Sequence, residues 1–234
     1  MQRLWDSIKN GYLRIIGPIA DSLVRRRVHP NTITTIGTLC TVIGGIIYAA
    51  GHIRTAGWFL GLTALFDVLD GTVARRTGRS TVFGAFYDSA LDRVSDGAVL
   101  GGLMYFYAFS PRYSSHVMLV VTLLGLVGAY MTSYTRARAE ALGVDAKVGV
   151  LQRPERVTLL SAPQAFFGLA LGGWVLAAII VLLTVTAWIT VVQRFIAVHA
   201  ATRPVAPVAA ADATRGEASP SAATPPALSR HVTS

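Results

Sequence analysis

Charge is scarce in this chain. Asp, Glu, Lys and Arg make up 14% of its 234 residues, where soluble domains average about 25%. Cysteine is scarcer still. Cys40 stands alone, so no disulfide framework can form within the chain, and one small thiol in an apolar run reads as packing. Sustained alternation of apolar and polar residues is missing, which argues against strands. The N-terminus lacks a short apolar core followed by a small-residue cleavage site, so a removable signal peptide is not expected. What the chain does have is hydrophobicity: 53% of its residues are hydrophobic and the mean hydropathy is +0.52. Several apolar runs are long enough to cross a bilayer. The expectation is an all-α, polytopic membrane protein.

Three regions follow from the pattern. Residues 1–27 mix apolar positions such as Leu4, Ile8, Leu13 and Ile19 with Arg3, Lys9, Arg14, Arg25, Arg26 and Arg27. This suits an amphipathic juxtamembrane helix lying in the membrane interface, kinked at Gly17-Pro18; packing on the bundle fits the pattern equally well. Residues 28–200 hold six expected transmembrane helices, at about 32–50, 56–76, 82–108, 115–139, 156–172 and 174–198. His29-Pro30-Asn31-Thr32 is a start signal for the first, and Gly172-Gly173 separates the last two. Residues 201–234, rich in Ala, Pro, Ser and Thr, read as a disordered tail.

With six spans, both termini share a side. Of the 21 basic residues, all but Arg54, Arg112 and Arg93 fall on that side, which makes it cytoplasmic in a multi-pass cell-membrane protein. The net charge is +9, yet the basic residues flank apolar segments and build no soluble basic domain. Membrane lipid is therefore an expected partner and nucleic acid is not.

Four acids break the apolar pattern. Asp67 and Asp70 lie three apart on the second span, and Asp88 and Asp92 four apart on the third. Each pair falls on one helix face, one turn apart. A short loop joins the spans, so the two faces can converge. Carboxylates near hydrocarbon cost several kcal/mol unless paired, solvated or metal-bound. Hard oxygen donors suit Mg²⁺ or Mn²⁺, and two such ions per active site could clamp a diphosphate. Gly71, Ala74 and Gly84 are small enough for close helix approach or for a ligand beside the backbone. Arg75 can fork onto phosphate oxygens, and Thr81 offers a hydroxyl at the start of the third span. Arg93 and Asp96, one turn beyond Asp92, are expected to form a supporting ion pair.

The run D-x2-D-G-x2-A-R-x8-G-x3-D-x3-D, from Asp67 to Asp92, resembles at every position and in both gaps the signature of the CDP-alcohol phosphotransferase family. The resemblance implies six transmembrane helices, a cytoplasm-facing polar cavity, a homodimer and dependence on Mg²⁺ or Mn²⁺. It implies that an acceptor hydroxyl attacks the lipid-linked phosphorus of CDP-diacylglycerol and that CMP leaves. By the family pattern Asp67, Asp70 and Asp88 hold the metals. By the same pattern Asp92 is the general base and also a ligand of the second ion. Gly71, Arg75 and Thr81 fall where the family binds the CDP moiety; Asn31, Thr32, Ile33 and Thr34 fall where it closes over the nucleotide. The base assignment has a physical side: the aspartate least bound to metal keeps the most affinity for a proton.

Arg136 and Arg194 sit within otherwise apolar helices, and Arg156 opens the fifth span. Such cations are expensive unless they face a cavity or an anion, which suits a phosphorylated acceptor. Ser133 to Glu140, the stretch Arg153-Pro154-Glu155-Arg156 and the late Arg194 resemble the phosphatidylinositol phosphate synthase branch of the family. There the matching residues hold the phosphate of inositol phosphate, with Lys at the place of Arg136. Here Arg keeps the charge and changes its geometry, and Pro30-Asn31 stands where that branch often has Pro-Asp. The expected reaction is transfer of a phosphatidyl group to a phosphorylated polyol, 1D-myo-inositol 3-phosphate. The alternatives are glycerol 3-phosphate as acceptor, giving phosphatidylglycerophosphate, and, from another class, a divalent-cation transporter. A transporter would want a second set of acids in a repeated half, and the sequence has none.

Overall fold

The structure, a computed structural model, describes residues 17–202. Every element among them is helical. Residues 17–25 form α1. Then come α2 (Pro30–Ala49), α3 (Ile53–Thr77), α4 (Val82–Phe109), α5 (His116–Ala141), α6 (Arg153–Phe167), a 3-10 turn (Ala170–Gly173) and α7 (Trp174–Ala201). The expected spans agree with α2 to α5 and α7 to within a few residues. The expectations for residues 1–16 and 203–234, most of the interfacial helix and nearly all of the tail, lie outside the described residues.

Helix ends follow local chemistry. Thr81 and Ser115 cap α4 and α5, each hydroxyl accepting from a backbone N–H in the first turn. Gly78 ends α3 in the left-handed region, φ 64°. Pro154 sits in the first turn of α6, second after the Gln152 cap, and Gln152 N–H donates to Glu155 Oε2 at 2.7 Å.

Among the described residues, four segments are long and apolar enough to cross a membrane: α2, α3, α5 and Ala170–Ala201. The fourth helix is long, 28 residues, but carries Asp88, Asp92, Arg93 and Asp96 in its first half. The expected fifth span, 156–172, requires correction. Its helix stops at Phe167 after 15 residues, about 22 Å of rise against a hydrocarbon core of about 30 Å. Gly168, Leu171, Gly172 and Gly173 then take positive φ, so the backbone turns before the glycine pair is reached.

The bundle packs α2 on α3 and α4, α3 on α6, and α5 on α4 and α7. Its core holds Tyr48, Ile53, Leu103, Leu176 and Ile180, each no more than 1% exposed. Tyr48 hydroxyl donates to the Leu160 carbonyl at 2.7 Å, joining α2 to α6. A second cluster, Ala20, Ile33, Leu69 and Val73, seats α1 on α2 and α3, and Arg76 pairs with Asp21. The described part of the N-terminal segment thus packs on the bundle. Large apolar side chains such as Leu39, Ile46, Leu62, Val117 and Ile196 face outward, as a lipid environment favours.

Backbones of α2 and α4 touch where a Cβ on Gly102 would collide with the Gly45 carbonyl, while Gly101 has open space. Gly102→Ala is therefore expected to cost about 1–3 kcal/mol by overpacking. Gly101→Ala should leave stability within about 0.5 kcal/mol of the parent. Thermal denaturation in detergent measures both.

Candidate functional site

The motif residues gather at one end of the bundle, where α3 ends, α4 begins, α5 ends and α6 begins. A mostly apolar cavity of ≈50 Å³ reaches into the core from Asp67, Asp96, Arg153 and Arg156, and two larger, polar cavities open at the end of the bundle. One, of ≈190 Å³, is lined by Pro30, Asn31, Thr34, Asp70, Gly71, Ala74, Arg75, Arg79, Ser80, Thr81, Gly84, Ala85 and Asp88. Five of the seven residues expected to bind the CDP-lipid line it, together with two of the aspartates. The other two do not. Ile33 is 3% exposed and packs in the α1–α2–α3 core, and Thr32 is exposed away from the cavity. A helix turns each residue by about 100°, so four consecutive residues cannot share a face.

The second cavity is larger, ≈740 Å³, and basic. Asp92 and Glu140 are its acids; its cations are Arg93, Arg136, Lys147, Arg153, Arg156 and Arg194. All three arginines expected to hold an acceptor phosphate are there. Arg136 Nε donates to Glu140 Oε1 at 2.9 Å. Arg194 Nε donates to the Val148 carbonyl at 3.0 Å, and its Nη1 to the Thr132 carbonyl. Arg194 thus ties the loop after α5 to the end of α7. Ala85 lines both cavities, with Asp88 on one and Asp92 on the other.

The carboxylates are held by different partners. Thr34 hydroxyl donates to Asp70 Oδ2 at 2.7 Å. Arg153 Nη1 lies 2.6 Å from Asp67 Oδ2 and 2.9 Å from Asp92 Oδ1, bridging α3 to α4 from the first residue of α6. Arg93 Nη2 lies 3.5 Å from Asp92 Oδ2. The expected Arg93–Asp96 pair does not form. Asp96 instead faces Arg153 at 4.0 Å and Arg156 at 3.9 Å, because α6 brings both arginines against its side of α4. Sequence reasoning gave Arg153 no role. The signal was its spacing: three residues before Arg156, it shares that residue's helix face.

The expectation that all four carboxylates meet needs qualification. Among the described residues no three acidic, thiol or imidazole side chains stand close enough to ligate one ion. Asp67 and Asp88 each stand within electrostatic reach of both Asp70 and Asp92. The donor set is all hard oxygen, and a cation, the Arg153 guanidinium, already lies between two of its members. The residues present therefore fit a divalent ion. On the basic side, Nε of Arg93, Arg153 and Arg156 are buried without a hydrogen-bond partner, a donor set suited to an anion.

Residues 27–199 match the family model described as CDP-alcohol phosphatidyltransferase. The phosphatidylinositol phosphate synthase of Mycobacteroides abscessus is 38% identical over 189 residues, 80% of this chain and 85% of that protein. The crystal structure of Mycobacterium tuberculosis phosphatidylinositol phosphate synthase with CDP-DAG bound superposes with a TM-score of 0.72. It is 36% identical, and the match covers 79% of this chain and 94% of that one. The same enzyme in complex with manganese and citrate gives the same TM-score and identity, over 79% and 88% of the chains.

Thr81 has a structural duty beside its place in the smaller cavity, since its hydroxyl caps α4 by accepting from Gly84 N at 2.9 Å. Thr81→Ala should cost about 1 kcal/mol of stability through the lost cap and weaken CMP binding. Thr81→Ser should retain most of both. Thermal melts and CMP titration check this.

Proposed function

The chain belongs to the CDP-alcohol phosphatidyltransferase family, and on that premise we propose how its two cavities divide one reaction. It is a phospholipid-synthesising transferase of substituted phosphate groups. The smaller cavity takes the cytidine diphosphate of CDP-diacylglycerol, with Asn31, Thr34, Gly71, Arg75 and Thr81 around it. The basic cavity takes a phosphorylated polyol, with Arg136, Arg156 and Arg194 on its phosphate. The acceptor is 1D-myo-inositol 3-phosphate, and the products are phosphatidylinositol phosphate and CMP. This reading is supported by the relatives' named activity and by the cation content of the second cavity.

One observation carries the reading: Asp70 and Asp88 line the smaller cavity while Asp92 lines the basic one. Asp92 is therefore next to the acceptor and takes the hydroxyl proton. The acceptor oxygen bonds to the phosphorus that carries the diacylglycerol, the bond from that phosphorus to the oxygen of CMP breaks, and CMP leaves. Asp67, Asp70, Asp88 and Asp92 would hold Mg²⁺ or Mn²⁺, two ions per site, which supply charge stabilisation to the diphosphate. Arg75 Nη2 donates to Thr72 Oγ1 at 3.4 Å, an exposed bond it exchanges for the nucleotide phosphates; a Cβ on Gly71 would sit 3.2 Å from Arg75 Nη1, so a glycine there leaves the fork room.

The same reading takes α2 to α7 as six spans in the cell membrane, with termini and site cytoplasmic. The charged half of α4 then lies at the aqueous end, and the turn after α6 completes the short fifth span. It also takes the enzyme as a homodimer, as the family resemblance implies.

Asp92→Asn should retain CDP-lipid binding and lose about 10²–10⁴-fold in turnover; turnover like the parent's would remove Asp92 as the base. Membranes given CDP-diacylglycerol and Mg²⁺ should release CMP with inositol 3-phosphate, and not with serine or free inositol. Release with glycerol 3-phosphate instead would reassign the acceptor. Release with neither phosphate, or none dependent on CDP-lipid, would overturn the reading.

A further inference from the structure

Arg153 touches both halves of the site. Its guanidinium bridges Asp67 and Asp92, yet the side chain also lines the basic cavity beside Arg136, Arg156 and Arg194. Its Nε is buried without a hydrogen-bond partner. Asp96 Oδ1 stands 4.0 Å from that Nε. The side chain is thus loosely held near its base and firmly held at its tip.

A guanidinium and a divalent ion cannot both lie between Asp67 and Asp92. Each needs the same carboxylate oxygens, and the two cations repel. An ion arriving there expels Arg153, and the adjoining space is the basic cavity. That cavity already holds several cations and welcomes another only with an anion present. We propose that Arg153 is a positioning residue that alternates between these two places: it neutralises the aspartates before the ion is bound, then turns into the basic cavity to meet the acceptor's phosphate. Ion and phosphate thereby favour each other, and the coupling is reciprocal. The proposal rests on the reading of the aspartates as metal ligands. It adds an order to the reaction: the acceptor site is completed only after the ion has displaced the arginine.

The test is Mn²⁺ binding to the full-length protein in detergent, read by electron paramagnetic resonance without turnover. Sulfate serves as the tetrahedral anion. In the parent, sulfate should raise Mn²⁺ affinity about 5-fold or more, within the usual range of coupling. Arg153→Gln should bind Mn²⁺ more tightly than the parent without sulfate, by about 5-fold or more, and sulfate should no longer change its affinity. Loss of a merely structural residue would not tighten metal binding. Arg138→Gln controls for charge alone, since it removes an exposed cation outside the basic cavity, and should leave the sulfate effect in place and raise Mn²⁺ affinity far less. Should the glutamine variant fail to fold, Arg153→Lys bridges only as a point charge and should still bind Mn²⁺ more tightly than the parent. Affinity equal to or below the parent's in the folded Arg153 variant overturns the switch while the metal reading stands. Mn²⁺ binding unaffected by Asp70→Asn and by Asp88→Asn overturns the metal reading, and the switch with it.

Discussion

Negative charge inside an apolar helix bundle must be answered by positive charge or by water, and that constraint shapes this molecule. Asp67, Asp70, Asp88 and Asp92 sit at the end of a bundle whose other residues are mostly apolar. Each acid with a resolved contact has a specific one: Thr34 for Asp70, Arg153 for Asp67 and Asp92, Arg93 for Asp92. Asp96 in turn faces Arg153 and Arg156. Arg153, Asp92 and Asp96 are partly buried and Asp67 is 41% exposed, so removing one partner costs part of the about 3–5 kcal/mol typical of a fully buried pair. The network is therefore costly to break piecemeal, though a second cation can replace the first at little loss. A site that must accept divalent ions gains from being built this way.

The helix topology turns the constraint into two compartments. The α3–α4 hairpin supplies all four aspartates, and the left-handed Gly78 closes α3 within a few residues of the Thr81 cap. The α2 N-terminus reaches over this hairpin. It can do so because Gly45 and Gly102 allow the α2 and α4 backbones to touch further down. At the site itself, Thr35 and Tyr87 hydroxyls meet at 2.9 Å across the same pair of helices. The ends of α5 and α7 and the start of α6 bring the cations from the opposite side. Packing on the apolar side of the bundle thus sets the separation of the polar groups, and the two cavities are what that separation leaves.

Much of this was legible in the sequence. The spacing of Asp67, Asp70, Asp88 and Asp92 placed them on helix faces, and the apolar runs marked α2 to α5 and α7 closely. What escaped depended on tertiary contact. Ile33 lies in a run of candidate nucleotide-binding residues, and only its packing against Leu69 and Val73 shows that it points inward. The α6 terminus escaped because Gly168, four residues before the glycine pair, already takes positive φ. Asp96 looked like a partner for its neighbour Arg93. Its real partners arrive from a helix nearly sixty residues on, and no local rule anticipates them.

Arg136 shows how a departure from the relatives' pattern can fit the same chemistry. A lysine there would have to serve Glu140 one turn on and a ligand from one nitrogen. The guanidinium uses Nε for Glu140 at 2.9 Å, and its fork leaves two further nitrogens for a tetrahedral anion. Both side chains are about half exposed, 49% and 52%, so the pair itself contributes only about 0.3–0.5 kcal/mol. Its value is geometric, since Glu140 fixes the arginine's stem and so aims the remaining donors. Replacing lysine by arginine keeps the charge at the rim of the basic cavity and adds orientation to it.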